Sequence, residues 1–269
     1  MRGQLREEDF EVLREPLESG RQSRESISVV LILGIFLQAL MFALNYYLAA
    51  PYSLFPFKEE IINIHFWLTV TIIGLSIVYS IPFVYKRSER IQYALSILVS
   101  HNVGSISFLI ISLFTIGLED EGMTNNADNL MQIAYVILAV ALLLFIIIMV
   151  RYYISLKKGH YRKGSEKEEQ RNELANMSFV PKVVLIGGAV FILITKWISH
   201  NSNYYDSSTP GILVLGMLVF YAMIAVLPEQ LIILYCKCKY KSFNFSERGY
   251  LYSIGEQKTE RRRKPRIEA

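Results

Sequence analysis

Cysteine is nearly missing from this 269-residue chain, which has two, Cys236 and Cys238, one residue apart near the carboxy-terminal end. That pair excludes a disulfide framework, and with no second Cys or His pair at suitable spacing it is only half of a zinc site. Histidine is also scarce, at four residues. The chain has no phosphate loop, dinucleotide fingerprint, HExxH or GxSxG, which removes the usual sequence support for a standard catalytic class. No cleavable export signal is found either. The first apolar run follows 27 residues rich in charge, is too long for a signal core, and leads into no small-residue cleavage site. It reads as a signal anchor.

Charge is what the apolar stretches lack. Overall, 52% of residues are apolar and 19% charged, close to a soluble protein, but the two kinds are segregated. Six runs, at 28–49, 61–85, 94–118, 130–150, 183–199 and 211–235, are each about long enough to cross a hydrocarbon layer of about 30 Å. A soluble core helix would alternate its faces instead. The fourth run has no charge, whereas the fifth is short and carries Lys196 near its far end.

Base is lacking from alternate connections. With Lys196 counted in the fifth loop, the seven segments outside the membrane hold, in order, 5, 1, 3, 0, 8, 1 and 10 Lys plus Arg. Because basic residues are retained on the cytoplasmic side during insertion, both termini are expected inside. A missed or invented span would spoil this alternation. The sequence therefore predicts an all-α, polytopic membrane helix bundle with six transmembrane helices and both termini cytoplasmic. Residues 1–27 form one tail, 28–235 the bundle with a loop at 151–182, and 236–269 a basic tail. The basic face suits anionic lipid headgroups, and the run Glu260 to Arg266 reads as orientation and lipid attraction rather than a nucleic-acid site.

The tails have little that could form a core. In the first, Phe10, Leu13 and Leu17 fall at roughly helical spacing beside a charged face, which predicts a short amphipathic helix on the membrane or on a partner. Glu166 to Ala175 reads as a solvated, capped helix. The lysines and aromatics of KCKYKSFNF read as interfacial anchors.

Against this background a few polar residues need partners. Glu229 lies eight residues before Lys237, hence about 12 Å inside that boundary on a straight helix, and an unpaired carboxylate in hydrocarbon costs at least a few kcal/mol. Pro228 removes a helical hydrogen bond beside it and predicts a kink. His101 lies at a comparable depth from the same face, so Glu229, Gln230, His101 and Asn102 are expected to form a polar cluster. Its two readings are a packing node that fixes helix register and a proton or ion path. Asn63, His65 and Trp67 at one outer end, and Lys196, Trp197 and His200 at another, read as interfacial residues. Ser100, Gly104, Ser105, Ser107 and Gly187-Gly188 read as small residues for close helix approach.

The ending LPEQLIILYCKCKYKSFNF, with the six-span layout, resembles uncharacterised multi-pass proteins of low-GC Gram-positive bacteria encoded near type VII secretion loci. The resemblance implies a role near toxin secretion or self-protection and assigns no catalytic residue. The sequence favours a non-enzymatic accessory or immunity-type protein, without cofactor or metal, that packs against a membrane-protein partner or a second copy of itself. The alternative is a small proton- or ion-coupled transporter or channel. It lacks support from glycine-broken helices in matching halves. An intramembrane enzyme is disfavoured, because the spans offer two histidines at opposite depths and one deep acid.

Overall fold

A computed structural model of the chain describes residues 5–118, 127–165, 169 and 208–254. The fifth apolar run at 183–199, with Gly187-Gly188, Lys196, Trp197 and His200, the predicted helix at 166–175 apart from Glu169, and the basic run at 260–266 lie outside the described residues. Among the described residues the protein is all-helical, with two isolated bridges in place of strands.

Among the described residues, five helical segments are long and apolar enough to cross a membrane. The first comprises α2 (Arg24–Ala43), a π-helical turn Leu44–Ala49 and a 3-10 turn Ala50–Tyr52. The second is α3 (Lys58–Tyr79), and the short α4 (Pro82–Tyr85) follows it. The third joins α5 (Glu89–His101) to α6 (Ser107–Ile116) through a π-helical turn Asn102–Ile106. The fourth is α7 (Ala127–Lys157), and the last is α8 (Ser208–Lys239), which continues through Pro228. Local chemistry sets several of these ends. Ser23 caps α2 by accepting the Ser26 N–H at 3.1 Å, and Pro82 starts α4, where its missing N–H costs nothing. At the far end of α8, Asn244 Nδ2 donates to the carbonyls of Lys237 (2.8 Å) and Tyr240 (2.9 Å).

The burial pattern is the reverse of a soluble bundle. Leu33, Phe36 and Leu142 are more than 60% exposed, while Gln38, Asn45 and Asn102 are at most 1% exposed. Such helices face an apolar surrounding with their apolar side and turn their polar groups to one another. In α3 the buried residues are His65, Thr69, Ile72 and Ser76, a single helical stripe of mainly polar character. Close approach replaces apolar burial as the attraction between helices. A Cβ on Gly216 of α8 would collide with Ser112 Oγ and lie 3.2 Å from the Phe108 carbonyl of α6, and one on Gly34 of α2 would meet Val99 Cγ1 at 2.5 Å.

Both described tails fold onto the same end of the bundle. The amino-terminal segment is a 3-10 turn Glu7–Arg14 leading into α1 (Glu15–Glu18), and it buries Phe10, Val12, Leu13 and Leu17. Phe10 packs against Tyr235 and Tyr240, and the Val12 N–H donates to the Tyr161 carbonyl at 2.9 Å. The helix expected on a membrane or a partner is thus seated on its own chain. The carboxy-terminal tail differs from expectation as well: Phe243 and Lys237 are fully buried, so this stretch is a folded cap and not a row of interfacial anchors.

Lys237 and Glu89 form the ion pair at the centre of this cap. The ammonium also donates to the Phe243 carbonyl (3.0 Å) and lies over the rings of Tyr93 (5.4 Å) and Phe245 (5.5 Å). Glu89 accepts the Phe245 N–H at 3.0 Å through its second oxygen, so both charges are bonded as well as paired. Nearby, Arg24 Nη2 donates to the Ser246 carbonyl (2.7 Å) and Arg14 Nη2 to that of Tyr252 (3.0 Å).

Two outcomes follow from this cap. Lys237→Met alone strands a buried carboxylate and should cost about 3–5 kcal/mol, whereas Lys237→Met with Glu89→Leu should recover much of that loss. Thermal midpoints of the three proteins in detergent measure it, and equal loss in single and double variants would contradict the pair's role. Asp9 supplies a pH test. Burial pushes its carboxyl up, but the Arg6 N–H (2.8 Å) and Arg162 Nε (2.8 Å) outweigh burial and hold it below its usual value. The stability it contributes is complete above the unfolded carboxylate range, near pH 4, and is lost as pH falls through the lower folded value. Protease sensitivity of the amino-terminal segment should therefore rise on acidification below about pH 4 in the wild type, and be high and pH-independent there in Asp9→Asn.

Candidate functional site

Asn102 is the branch point of a buried hydrogen-bond network joining the first three spans. Its carboxamide oxygen meets His65 Nε2 at 3.1 Å, and its Nδ2 donates to Gln38 Oε1 (2.9 Å) and Thr69 Oγ1 (3.1 Å). His65 Nδ1 meets the Tyr46 hydroxyl at 2.8 Å. The far end fixes every proton. Gln38 Nε2 donates to the Gly34 carbonyl (3.0 Å), which can only accept, so Gln38 Oε1 must accept from Asn102. The Asn102 oxygen then accepts from His65 Nε2–H, leaving Nδ1 to accept the Tyr46 proton. The bonds run one way, Tyr46 to His65 to Asn102 to Gln38 to the backbone. This tautomer is assigned by the network.

The π-helical turn Asn102–Ile106 shapes this site. It places the Asn102 carbonyl where Ser107 Oγ donates to it at 2.8 Å, while Asn45 Nδ2, from the other π turn, donates to the Ser107 carbonyl at 3.2 Å. Such turns insert an extra residue into a helix and re-aim the side chains beside it. Adjacent residues therefore diverge: Asn102 points toward α2 and α3, and His101 toward α8.

His101 Nε2 lies 2.9 Å from Gln230 Oε1, an acceptor, so that nitrogen carries the proton. Glu229 accepts from the Tyr152 hydroxyl of α7. Tyr152 is stacked on Tyr161, ring centroids 5.6 Å apart. A recess of about 280 Å³ beside them is lined by Ile148, Arg151, Tyr152, Ser155, Tyr161 and Ala225.

Of the four residues expected in one cluster, the structure pairs His101 with Gln230, gives Glu229 to Tyr152, and places Asn102 in the separate network around His65. Glu229 is also shallower than its distance from Lys237 suggests. Tyr152 directly follows Arg151, the first base after the fourth apolar run, whereas Lys237 belongs to the cap that extends beyond it. His65 is 3% exposed and bonded through both nitrogens, so it is an interior residue and not an interfacial one. Gln38, Asn45, Tyr46, Thr69 and Tyr152 were not singled out by sequence. Their signal was spacing: Gln38 and Asn45, seven apart, and His65, Thr69 and Ser76 lie on single stripes of otherwise apolar helices.

Among the described residues no group of three or more His, Cys, Asp or Glu side chains could hold a metal ion. Cys236 is buried and Cys238 exposed, both as free thiols. Comparison with protein-family models, with curated proteins and with solved structures returns no match.

Each partner left unbonded in a buried site costs about 1–3 kcal/mol. Asn102→Ala strands His65, Gln38 and Thr69, whereas His101→Ala strands Gln230 alone. The thermal midpoint should therefore fall further for Asn102→Ala than for His101→Ala, and equal falls would count against the network. His101→Ala and Gln230→Ala should also be non-additive by about 0.5 kcal/mol or more in a double-mutant cycle.

Proposed function

We propose that this is a six-span membrane protein with both termini cytoplasmic, acting without catalysis as an accessory or immunity-type component. It would bind another membrane protein, or a second copy of itself, through the apolar outer faces of its helices. The observation that carries this reading is the closed course of the Tyr46, His65, Asn102 and Gln38 bonds, which end on the Gly34 backbone. Gln38, His65, Thr69 and Asn102 are occupied in joining the first three spans, as in a packing node that fixes register.

Several features support the topology. The tails meet at one end of the bundle, Arg24 against Ser246 and Tyr240 against Leu5, and the basic segments belong to that end by the charge pattern. The fourth described span finishes there, with Leu156 and Tyr161 in the same apolar cluster as Phe10 and Phe243. Ile212, near the start of α8, lies instead beside Ala49 and Leu118 at the opposite end. That the end of α7 and the start of α8 lie at opposite ends supports the six-span count.

A second reading, a small proton- or ion-coupled transporter, is favoured by the Glu229 carboxylate on Tyr152 beside a polar recess. Proteoliposomes loaded with a pH-sensitive dye separate the two. The accessory reading expects proton flux no greater than in empty vesicles, with Glu229→Gln unchanged, whereas flux abolished by Glu229→Gln would replace it with the transporter. Orientation is read with a membrane-impermeant maleimide. Cys238 should label only after permeabilisation, and a cysteine introduced by Asn125→Cys should label in intact cells.

A further inference from the structure

We propose that the recess between α7 and α8 binds a single anionic phospholipid, with Arg151 holding its phosphate. The inference rests on the membrane reading above. Four of the lining residues, Ile148, Arg151, Tyr152 and Ser155, are spaced by three, one and three positions, which makes them one stripe along α7. Along that stripe chemistry changes with depth. Ile148, toward the middle of the span, and Ala225 of α8 line the recess with apolar surface, and about 10 Å further along the helix Ser155 supplies a hydroxyl. Arg151 stands between these levels, at the first charged position after an apolar run of 21 residues at 130–150. An apolar floor below a guanidinium and a hydroxyl matches an acyl chain below a phosphate.

The charges around the recess leave Arg151 to the ligand. Arg151 is exposed, and among the described residues it forms no ion pair. The Tyr152 hydroxyl is turned to Glu229, and its ring is held by the stack on Tyr161, so the two aromatic residues form a wall. Arg162 on the following turn is engaged by Asp9. Lys157 lies over the Tyr153 ring at 4.3 Å, next along the same helix. A guanidinium presents planar, paired donors that fit phosphate oxygens, which a bare ammonium does not. The volume of about 280 Å³ admits a phosphate with its glycerol and the first part of a chain, but not a whole lipid. The rest of the lipid would stay in the bilayer.

The test uses the full chain purified in a neutral detergent, with its thermal midpoint followed while phosphatidylglycerol, phosphatidylcholine or inorganic phosphate is added. Phosphatidylglycerol should raise the midpoint saturably, and the other two should not. Arg151→Gln should weaken the apparent affinity about tenfold, the loss of one charge-assisted bond, while Lys158→Gln leaves it unchanged. Ala225→Leu, which fills the apolar floor, should weaken it without removing a charge, and it serves if Arg151→Gln fails to fold. An equal response to phosphatidylcholine, saturation by phosphate alone, or an affinity indifferent to both Arg151→Gln and Ala225→Leu would overturn the proposal. Retention of the wild type in membranes after alkaline carbonate extraction separates the failures. Its loss sinks the membrane reading too, whereas retention without lipid selectivity sinks only the recess.

Discussion

The Lys237–Glu89 pair is the constraint around which the rest of the described structure is arranged. It ties the last turn of α8 to the first turn of α5, and each charge is bonded to the strand of tail that covers it, at Phe243 and Phe245. A buried ion pair is weak support for net stability, because desolvation offsets much of the attraction. What it supplies is uniqueness. Sliding α8 by one turn along α5 would leave both charges buried and alone, at a cost of several kcal/mol, so the register of the two helices is fixed.

The interior network sets register in the same way for the first three spans, without charge. In an apolar surrounding, leucine gains nothing by turning inward, so the helices need another reason to choose one rotation. His65 and Thr69 in α3 and the pair Gln38 and Asn45 in the first span provide it. Glycine then settles distance, with Gly34 against Val99 and Gly216 against Ser112. Hydrogen bonds choose the faces, and small residues let those faces meet.

The helical spans were legible in the sequence because bilayer thickness acts on long segments, where single residues matter little. Five of the six expected runs correspond to helices long and apolar enough to cross a membrane, and the remaining one lies outside the described residues. The interior was less legible. Depth counted from Lys237 put Glu229 well inside the hydrocarbon, but Lys237 is buried in the cap, and the partner on α7 follows directly on Arg151. Asn102 and His101 looked like one cluster because they are neighbours in sequence, and nothing in the letters NVGSI announces a π turn between them and Ser107. The cap was read as two unrelated tails. Its core is assembled from residues 148 to 235 positions apart, where local periodicity carries no information.

That separation has a consequence for synthesis. Tyr240 donates to the Leu5 carbonyl, and Arg24 and Arg14 close on Ser246 and Tyr252, so an earlier segment is completed by one more than 200 residues later. At ribosomal speeds of about 5–20 residues per second, Phe10, Leu13 and Leu17 wait on the order of ten seconds or more with their apolar faces uncovered. A chain that stops before Phe243 never covers them. The cap thus distinguishes a chain that has reached Phe243 from one that has not, and the difference is displayed at Phe10, Leu13 and Leu17, where a chaperone or a protease can read it.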